Sequence, residues 1–167
     1  MTRRTVQLGF FLALALILAY VESLIPFSFG TPGIKLGLPN LIVVLLLYGT
    51  DKSNVRDALT VNILRIVLSG FLFSNLYTIL YSLAGAVFSF IAMLIGRRMR
   101  CFSVVGVSVL GGVFHNVGQI IVAVFVVETV YVGYYVPVLI AVGTVTGAVL
   151  GIAAMELLPY LARKIAQ

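Results

Sequence analysis

The sequence predicts an all-α integral membrane protein. Of its 167 residues, 62% are hydrophobic and 10% are charged, whereas a soluble domain has about 45–50% apolar and about 25% charged residues. The apolar residues form long runs, while a transmembrane β-barrel would show alternating segments of about ten residues. These observations exclude a soluble enzyme and leave room for about six helical spans of roughly 20 residues each.

Six apolar segments define the predicted spans, which together form a single transmembrane domain over residues 1–167. The first follows Arg3-Arg4, and it is too long for a cleaved signal peptide and ends without a small-residue cleavage site, so we expect a retained helix. Pro39-Asn40 should break or kink the second span. We predict the spans at residues 6–25, 34–50, 57–73, 75–96, 102–127 and 136–158.

The basic residues are distributed unevenly between the connections. If the N-terminus is cytoplasmic, Lys35 alone lies in an outer connection and Arg65 lies within a span, while the remaining nine of the 11 basic residues fall on the inner side. By the positive-inside rule, this asymmetry predicts six spans with both termini in the cytoplasm. The net charge of +6 is therefore interpreted as a topology signal and not as a nucleic-acid-binding surface.

Small residues at regular spacing predict where the helices touch. Close backbone approach through small residues is typical of helix contacts in lipid. The pair Ala15 and Ala19 on the first helix fits either packing within the chain or docking to another membrane subunit. The predicted packing faces of the last two spans contain Gly106, Gly111, Gly112 and Gly118, followed by Gly143, Gly147 and Gly151.

Polar side chains at membrane depth are costly and are candidates for function. Four of the predicted spans carry them, in each case near the midplane or on the outer side. They are Glu22, Lys35, Asn40, Asn62, Arg65, His115, Asn116 and Gln119. One interpretation is an outward-facing polar cavity that binds a small molecule, with positive charge from Arg65 and Lys35. The other is a satisfied internal network, for instance Arg65 paired with Glu22.

Little in the sequence suggests catalysis. One histidine and one cysteine do not form a nucleophile, base and orienting group by their spacing, and we expect no metal site, no cofactor and no enzymatic activity. There is no glycine-rich nucleotide loop ending in Lys-Ser or Lys-Thr, so an ATP-driven process would need a partner. The outer tyrosines Tyr131, Tyr134 and Tyr135 fit an interfacial aromatic belt or a lid over the cavity.

Three motifs resemble a known family. They are Gly33-Ile34-Lys35-Leu36-Gly37-Leu38-Pro39-Asn40, the Asn62-x-x-Arg65 pair, and Gly111-Gly112-Val113-Phe114-His115-Asn116-Val117-Gly118-Gln119. Together they resemble the bacterial membrane family known as Gx transporter or heptaprenyl diphosphate synthase component I, over essentially the whole chain. The family is in turn similar to the substrate-binding S components of energy-coupling factor transporters, which implies a multi-pass protein of the bacterial cytoplasmic membrane.

The resemblance implies a function and partners. S components are six-helix proteins that capture a vitamin or related small molecule from outside and associate with a coupling membrane subunit and two ATPases. An Ala-xxx-Ala motif on their first helix meets the coupling subunit, and Ala15 and Ala19 match it. The leading hypothesis is therefore a substrate-capture subunit whose ligand is anionic or isoprenoid- or quinone-related. The alternatives are a non-catalytic membrane subunit in polyprenyl diphosphate synthesis and a scaffold with a purely structural polar network.

Overall fold

The protein is all-helical in the part that its computed structural model describes, which is residues 3–25, 37–49, 54–99, 101–127 and 130–165. This confirms the predicted fold class at the level of secondary structure. A short 3₁₀ segment, η1, joins the last two helices. The helices are α1 (Arg3–Leu24), α2 (Asn40–Gly49), α3 (Asn54–Phe73), α4 (Leu76–Arg98), α5 (Val104–Val127) and α6 (Val136–Ile165), and η1 is Val130–Tyr135.

Four helices are long and apolar enough to cross a membrane. They are α1, α4, α5 through Val126, and Gly133–Leu161, which includes most of α6. The helix α3 is continuous over 20 residues, but its apolar sequence is interrupted by the polar residues Asp57, Asn62 and Arg65. The ten residues of α2 extend only about 15 Å, which is half of a hydrocarbon core of about 30 Å. The chain is thus a multi-pass helical protein with one short central helix.

The second helix is shorter than the sequence predicted. Residues 34–36 lie outside the described part, and the helix begins only at Asn40, so a helix through residues 37–39 was a wrong prediction. Gly37 has φ +80°, which glycine adopts at little cost, and Pro39 lies in the following turn. The Asn40 amide donates to the Gly37 carbonyl over 2.8 Å. The expected interruption at Pro39-Asn40 is therefore present as the start of α2.

The apolar centre of the bundle is formed around α2. Every residue from 42 to 47 is buried, as expected for a helix that is hydrophobic on all sides. Its contacts reach α1, α3, α5 and α6. Many large apolar side chains on the outer helices are exposed, which is the pattern expected when lipid and not water surrounds the protein.

Helix α5 approaches both α4 and α6 at backbone distance. A Cβ added to Gly147 would lie 2.7 Å from Cα of Val109, and one added to Gly118 would lie 2.8 Å from the Ala84 carbonyl oxygen. Since such distances exclude a side chain, the glycines are what allows α5 to fit between its neighbours. The predicted packing faces are confirmed, except that Gly106 is closest to Phe102, four residues earlier in the chain.

The alanine pair of α1 lies inside the chain. Ala15 is 0% and Ala19 is 4% exposed, and Ala15 belongs to the apolar core that also contains most of α2. Of the two interpretations of this pair, the structure shows packing within the chain. The side chains that α1 exposes include Phe10 and Ile17, on a different face from the alanines.

Candidate functional site

A buried arginine joins two helices through amide side chains. Arg65 on α3 donates from Nε to Asn62 Oδ1 over 3.0 Å and from Nη2 to Asn40 Oδ1 over 3.0 Å. Asn62 lies one turn earlier on the same helix, whereas Asn40 is the first residue of α2. All three residues are at least nine-tenths buried. Because hydrogen bonds to charged groups are the stronger ones, this network ties the start of α2 to α3.

Glu22 brings the end of α1 into the same network. Its Oε1 accepts a hydrogen bond from the Gly37 amide, and its charge interacts with that of Arg65. The buried carboxylate therefore offsets the buried guanidinium while it holds the turn that precedes α2. Among the described residues, the direct hydrogen-bond partners of Arg65 are the two asparagines, and the pairing of Arg65 with Glu22 stays a prediction.

A second group of polar side chains lies between α4 and α5. Within the described part of the chain, four buried side-chain atoms lack a well-formed hydrogen bond: Ser89 Oγ, His115 Nδ1, and both the Oε1 and the Nε2 of Gln119. Ser89 and Gln119 are each 1% exposed and His115 is 4% exposed. A buried donor or acceptor without a partner costs about 1–3 kcal/mol, so this group calls for a functional explanation.

The positions of two glycines show how the second group is arranged. A Cβ on Gly85 would lie 2.9 Å from the His115 ring, and one on Gly111 would lie 3.4 Å from Ser89 Oγ. Gly85 and Ser89 are one turn apart on α4, and Gly111 and His115 are one turn apart on α5. The serine and the imidazole therefore occupy adjacent levels of the same antiparallel contact, and Gln119 follows His115 by one further turn.

The two groups are close enough to interact. The charge of Arg65 acts on His115, whose ring also bonds to the backbone of Gly85, so the network on α1, α2 and α3 is electrostatically linked to the polar group on α4 and α5. Glu22 lies near the end of α1 and Asn40 at the start of α2, while Gln119 lies in the second half of α5. The combined cluster thus extends from the middle of the bundle toward the end at which η1 lies.

Two predicted site residues are not part of this cluster as described. Asn116 donates from Nδ2 to the Leu139 carbonyl oxygen over 2.7 Å, so it ties α5 to α6 and uses one of its two N–H donors for that contact. Lys35 lies outside the described residues. Of the three outer tyrosines, Tyr134 is 79% exposed on η1, and the side chain of Tyr131 is also outside the described part.

Ser89 is the one member of the cluster that the sequence analysis missed. Serine is common in transmembrane helices, where its hydroxyl often bonds the backbone of the preceding turn, so it carries little signal by itself. The pattern Ser82, Gly85 and Ser89 places small and polar residues on one face of α4 and could have identified it as a helix contact.

The side chains of the cluster can act as hydrogen-bond donors and acceptors. It offers a guanidinium, an imidazole, amides and a hydroxyl, each of which can orient a polar ligand. The described residues contain no group of three or more His, Cys, Asp or Glu side chains that could hold a metal ion. The arrangement therefore fits recognition of a small molecule by donors and acceptors in a low-dielectric site.

Fold and site together define a helical membrane protein with a polar cluster buried in its bundle. The chain belongs to the family described as heptaprenyl diphosphate synthase component I, whose model matches residues 11–157. The family resemblance inferred from the three motifs is thereby confirmed, and the match includes every described residue of the cluster. Nothing among curated proteins or solved structures matches the chain. The similarity to S components stays a prediction.

Proposed function

We propose that this protein is a substrate-binding membrane subunit with six membrane-spanning segments and both termini in the cytoplasm, in the manner of an S component. It binds a small molecule in the polar cluster around Arg65, His115 and Gln119. The observation that carries the proposal is Gln119, which is 1% exposed and has no hydrogen-bond partner for either amide atom among the described residues. A buried carboxamide in an apolar bundle is stable only if something else satisfies it, and a bound ligand supplies that partner.

The residues divide the work of binding between them. Arg65 has five N–H donors, and the bonds to Asn62 and Asn40 fix the orientation of the guanidinium. The donors left over are available to a carbonyl or anionic group of the ligand. Gln119, His115 and Ser89 supply both donors and acceptors, so the ligand also carries groups that donate. A purely apolar molecule would leave this half of the site unsatisfied.

Ligand entry is proposed from the end of the bundle that carries η1. Glu22 and Asn40 lie toward that end, and the distribution of basic residues makes it the outer side. Release to the inside would use a coupling membrane subunit and ATPases, since the sequence has no nucleotide-binding loop of its own. Because Ala15 and Ala19 are buried, docking of such a partner on α1 would involve the exposed face that contains Phe10 and Ile17.

Native mass spectrometry of the gently purified protein tests the binding role. The wild type should retain a small molecule that dissociates on activation, and Gln119→Leu and Arg65→Met should lose it. Ser108→Ala is a matched control, because Ser108 is also a buried polar residue of α5 (4% exposed) but lies against Gly147 and Gly151 of α6. Equal retention by Gln119→Leu and wild type, or no retained molecule in the wild type, would contradict the proposal.

A second candidate function is supported by the family description. As a component of heptaprenyl diphosphate synthesis, the chain would be a non-catalytic membrane subunit that accompanies a soluble prenyltransferase. Affinity purification from membranes at low detergent concentration distinguishes the two functions. A coupling protein and ATPases in stoichiometric amount favour the transporter, whereas a prenyltransferase in stoichiometric amount favours the synthase.

A further inference from the structure

An apolar groove of about 380 Å³ lies between α4 and α5 on the surface of the bundle. Its walls include Ile91 and Ile95, which are 52% and 55% exposed, and Phe114, which is 40% exposed. The small residue Ala92 forms part of the floor. The groove is separate from the polar cluster, because its lining residues do not include Arg65, His115 or Gln119.

The length of the groove matches one leaflet of a bilayer. Along α4 its lining runs from Phe88 to Met99, a distance of about 16 Å at 1.5 Å per residue. Half of a hydrocarbon core of about 30 Å is about 15 Å. The groove therefore covers the depth that the acyl chain of a single phospholipid covers, from the bilayer midplane to the headgroups.

A basic residue stands where the headgroup of such a lipid would lie. Arg98 follows Ile91 by seven residues and Ile95 by three, so it continues the same stripe of α4 beyond the apolar part. Its side chain is exposed. The neighbouring Arg97 is placed differently, with its guanidinium 5.3 Å from the ring centre of Tyr48 on α2. An exposed arginine at the polar end of an apolar groove complements a negatively charged headgroup.

We propose that the groove between α4 and α5 is a binding site for one anionic phospholipid, with an acyl chain along Ala92 and Ile95 and the phosphate against Arg98. The site is independent of the function of the polar cluster. A zwitterionic lipid has the same acyl chains but a headgroup without net charge. The preference for the anionic over the zwitterionic lipid therefore measures the contribution of Arg98. The total amount of bound lipid measures binding in the groove.

The test uses the full-length protein with equal amounts of phosphatidylglycerol and phosphatidylcholine, and counts retained lipids by native mass spectrometry. The wild type should retain phosphatidylglycerol about fivefold over phosphatidylcholine, the effect of one basic residue at an anionic surface. Arg98→Gln should abolish that preference. The control Arg56→Gln removes an exposed charge at the start of α3, away from the groove, and should leave the preference unchanged.

The groove itself is tested by filling it. Ala92→Leu adds three carbon atoms to the floor and should lower retention of both lipids, whereas Val145→Leu adds a carbon on an exposed position of α6 and should not. Circular dichroism shows whether each variant is folded, and the exposed Arg98 variant decides the question if Ala92→Leu is not. Equal retention of the two lipids by the wild type, or unchanged retention by folded Ala92→Leu, would overturn the proposal.

Discussion

Arg65 Nη2 lies 3.0 Å from Asn40 Oδ1, and this hydrogen bond connects the middle of α3 to the first residue of α2. The two residues are 25 positions apart in the chain. Positive charge is unfavourable at the N-terminal end of a helix, where unpaired amides already carry partial positive charge. The amide oxygen of Asn40 and the carboxylate of Glu22 make the position tolerable, so the three residues depend on each other.

This dependence predicts a large loss of stability for Arg65→Met. The change removes the bonds to Asn62 and Asn40 and the positive charge that acts on the buried Glu22. Each buried amide oxygen that loses its donor costs about 1–3 kcal/mol, so the free energy of unfolding in detergent should fall by about 2–6 kcal/mol. The control is Arg56→Met at an exposed position of the same helix, with an effect within about 0.5 kcal/mol.

The double variant Glu22→Gln with Arg65→Met separates charge compensation from loss of packing. If the charges depend on each other, the double variant should be less destabilised than the sum of the two single variants. Strictly additive effects would mean that Glu22 and Arg65 act independently.

In protein stripped of ligand, Gln119→Leu should have the opposite effect on stability. In the part of the chain that the structure describes, the amide atoms of Gln119 are buried without partners, and an apolar side chain of similar size removes that penalty of about 1–3 kcal/mol. The melting temperature should therefore rise or stay constant. Asn116→Leu is the matched comparison on the same helix and should lower it, because it deletes the bond to the Leu139 carbonyl. Destabilisation of the stripped protein by Gln119→Leu would show that the amide has a partner within the chain.

Gly147→Ala should destabilise the protein by about 1–3 kcal/mol through overpacking. The added methyl group would meet the Val109 Cα at 2.7 Å and the Ser108 carbonyl oxygen at 2.8 Å, and neither backbone atom can move aside alone. Gly9→Ala tests the same chemistry where nothing lies within 4 Å, and should stabilise α1 by up to about 1 kcal/mol. Denaturant titration in detergent measures both, and similar effects at the two positions would contradict the close α5–α6 contact.

Cys101 offers a test of the proposed orientation. It is an exposed free thiol in the connection between α4 and α5, on the side that the basic residues place in the cytoplasm. A membrane-impermeant maleimide should label it in inverted vesicles and not in intact cells. In a Cys101→Ser background, Tyr134→Cys on η1 should show the reverse. Labelling of both positions from one side would exclude the proposed six-span topology.

The sequence predicted the helices because their signal is local. Long apolar runs and the bordering charges are properties of neighbouring residues, and all six predicted spans overlap helices of the structure. The proline predicted an interruption at Pro39-Asn40, but the boundary of the second span was placed too early because Gly37 and Pro39 lie in an apolar run and the hydrogen bonds of a turn leave no trace in hydropathy.

The hydrogen-bond partners within the polar cluster could not be predicted from the sequence, because they depend on how each helix is oriented about its own axis. His115 and Asn116 are adjacent in the chain, yet one packs against Gly85 of α4 and the other bonds to α6. The spacing of Asn62 and Arg65 correctly placed them on one face, whereas the contact of Arg65 with Asn40 joins separate helices. Ala15 and Ala19 show the same limit, since the pattern could not say whether their face is turned inward.

The glycine contacts divide the bundle into two parts that differ in stiffness. Where α5 meets α4 and α6 backbone to backbone, no side-chain rotation can absorb a displacement, so these three helices behave as a stiff unit. The contacts of α1 and α2 in the core are made largely by longer apolar side chains such as Phe11, Leu46 and Leu47, whose rotamers can adjust to small shifts. Arg65 belongs to the compliant part and His115 to the stiff part. Any movement of one part relative to the other would therefore change the geometry of the polar cluster.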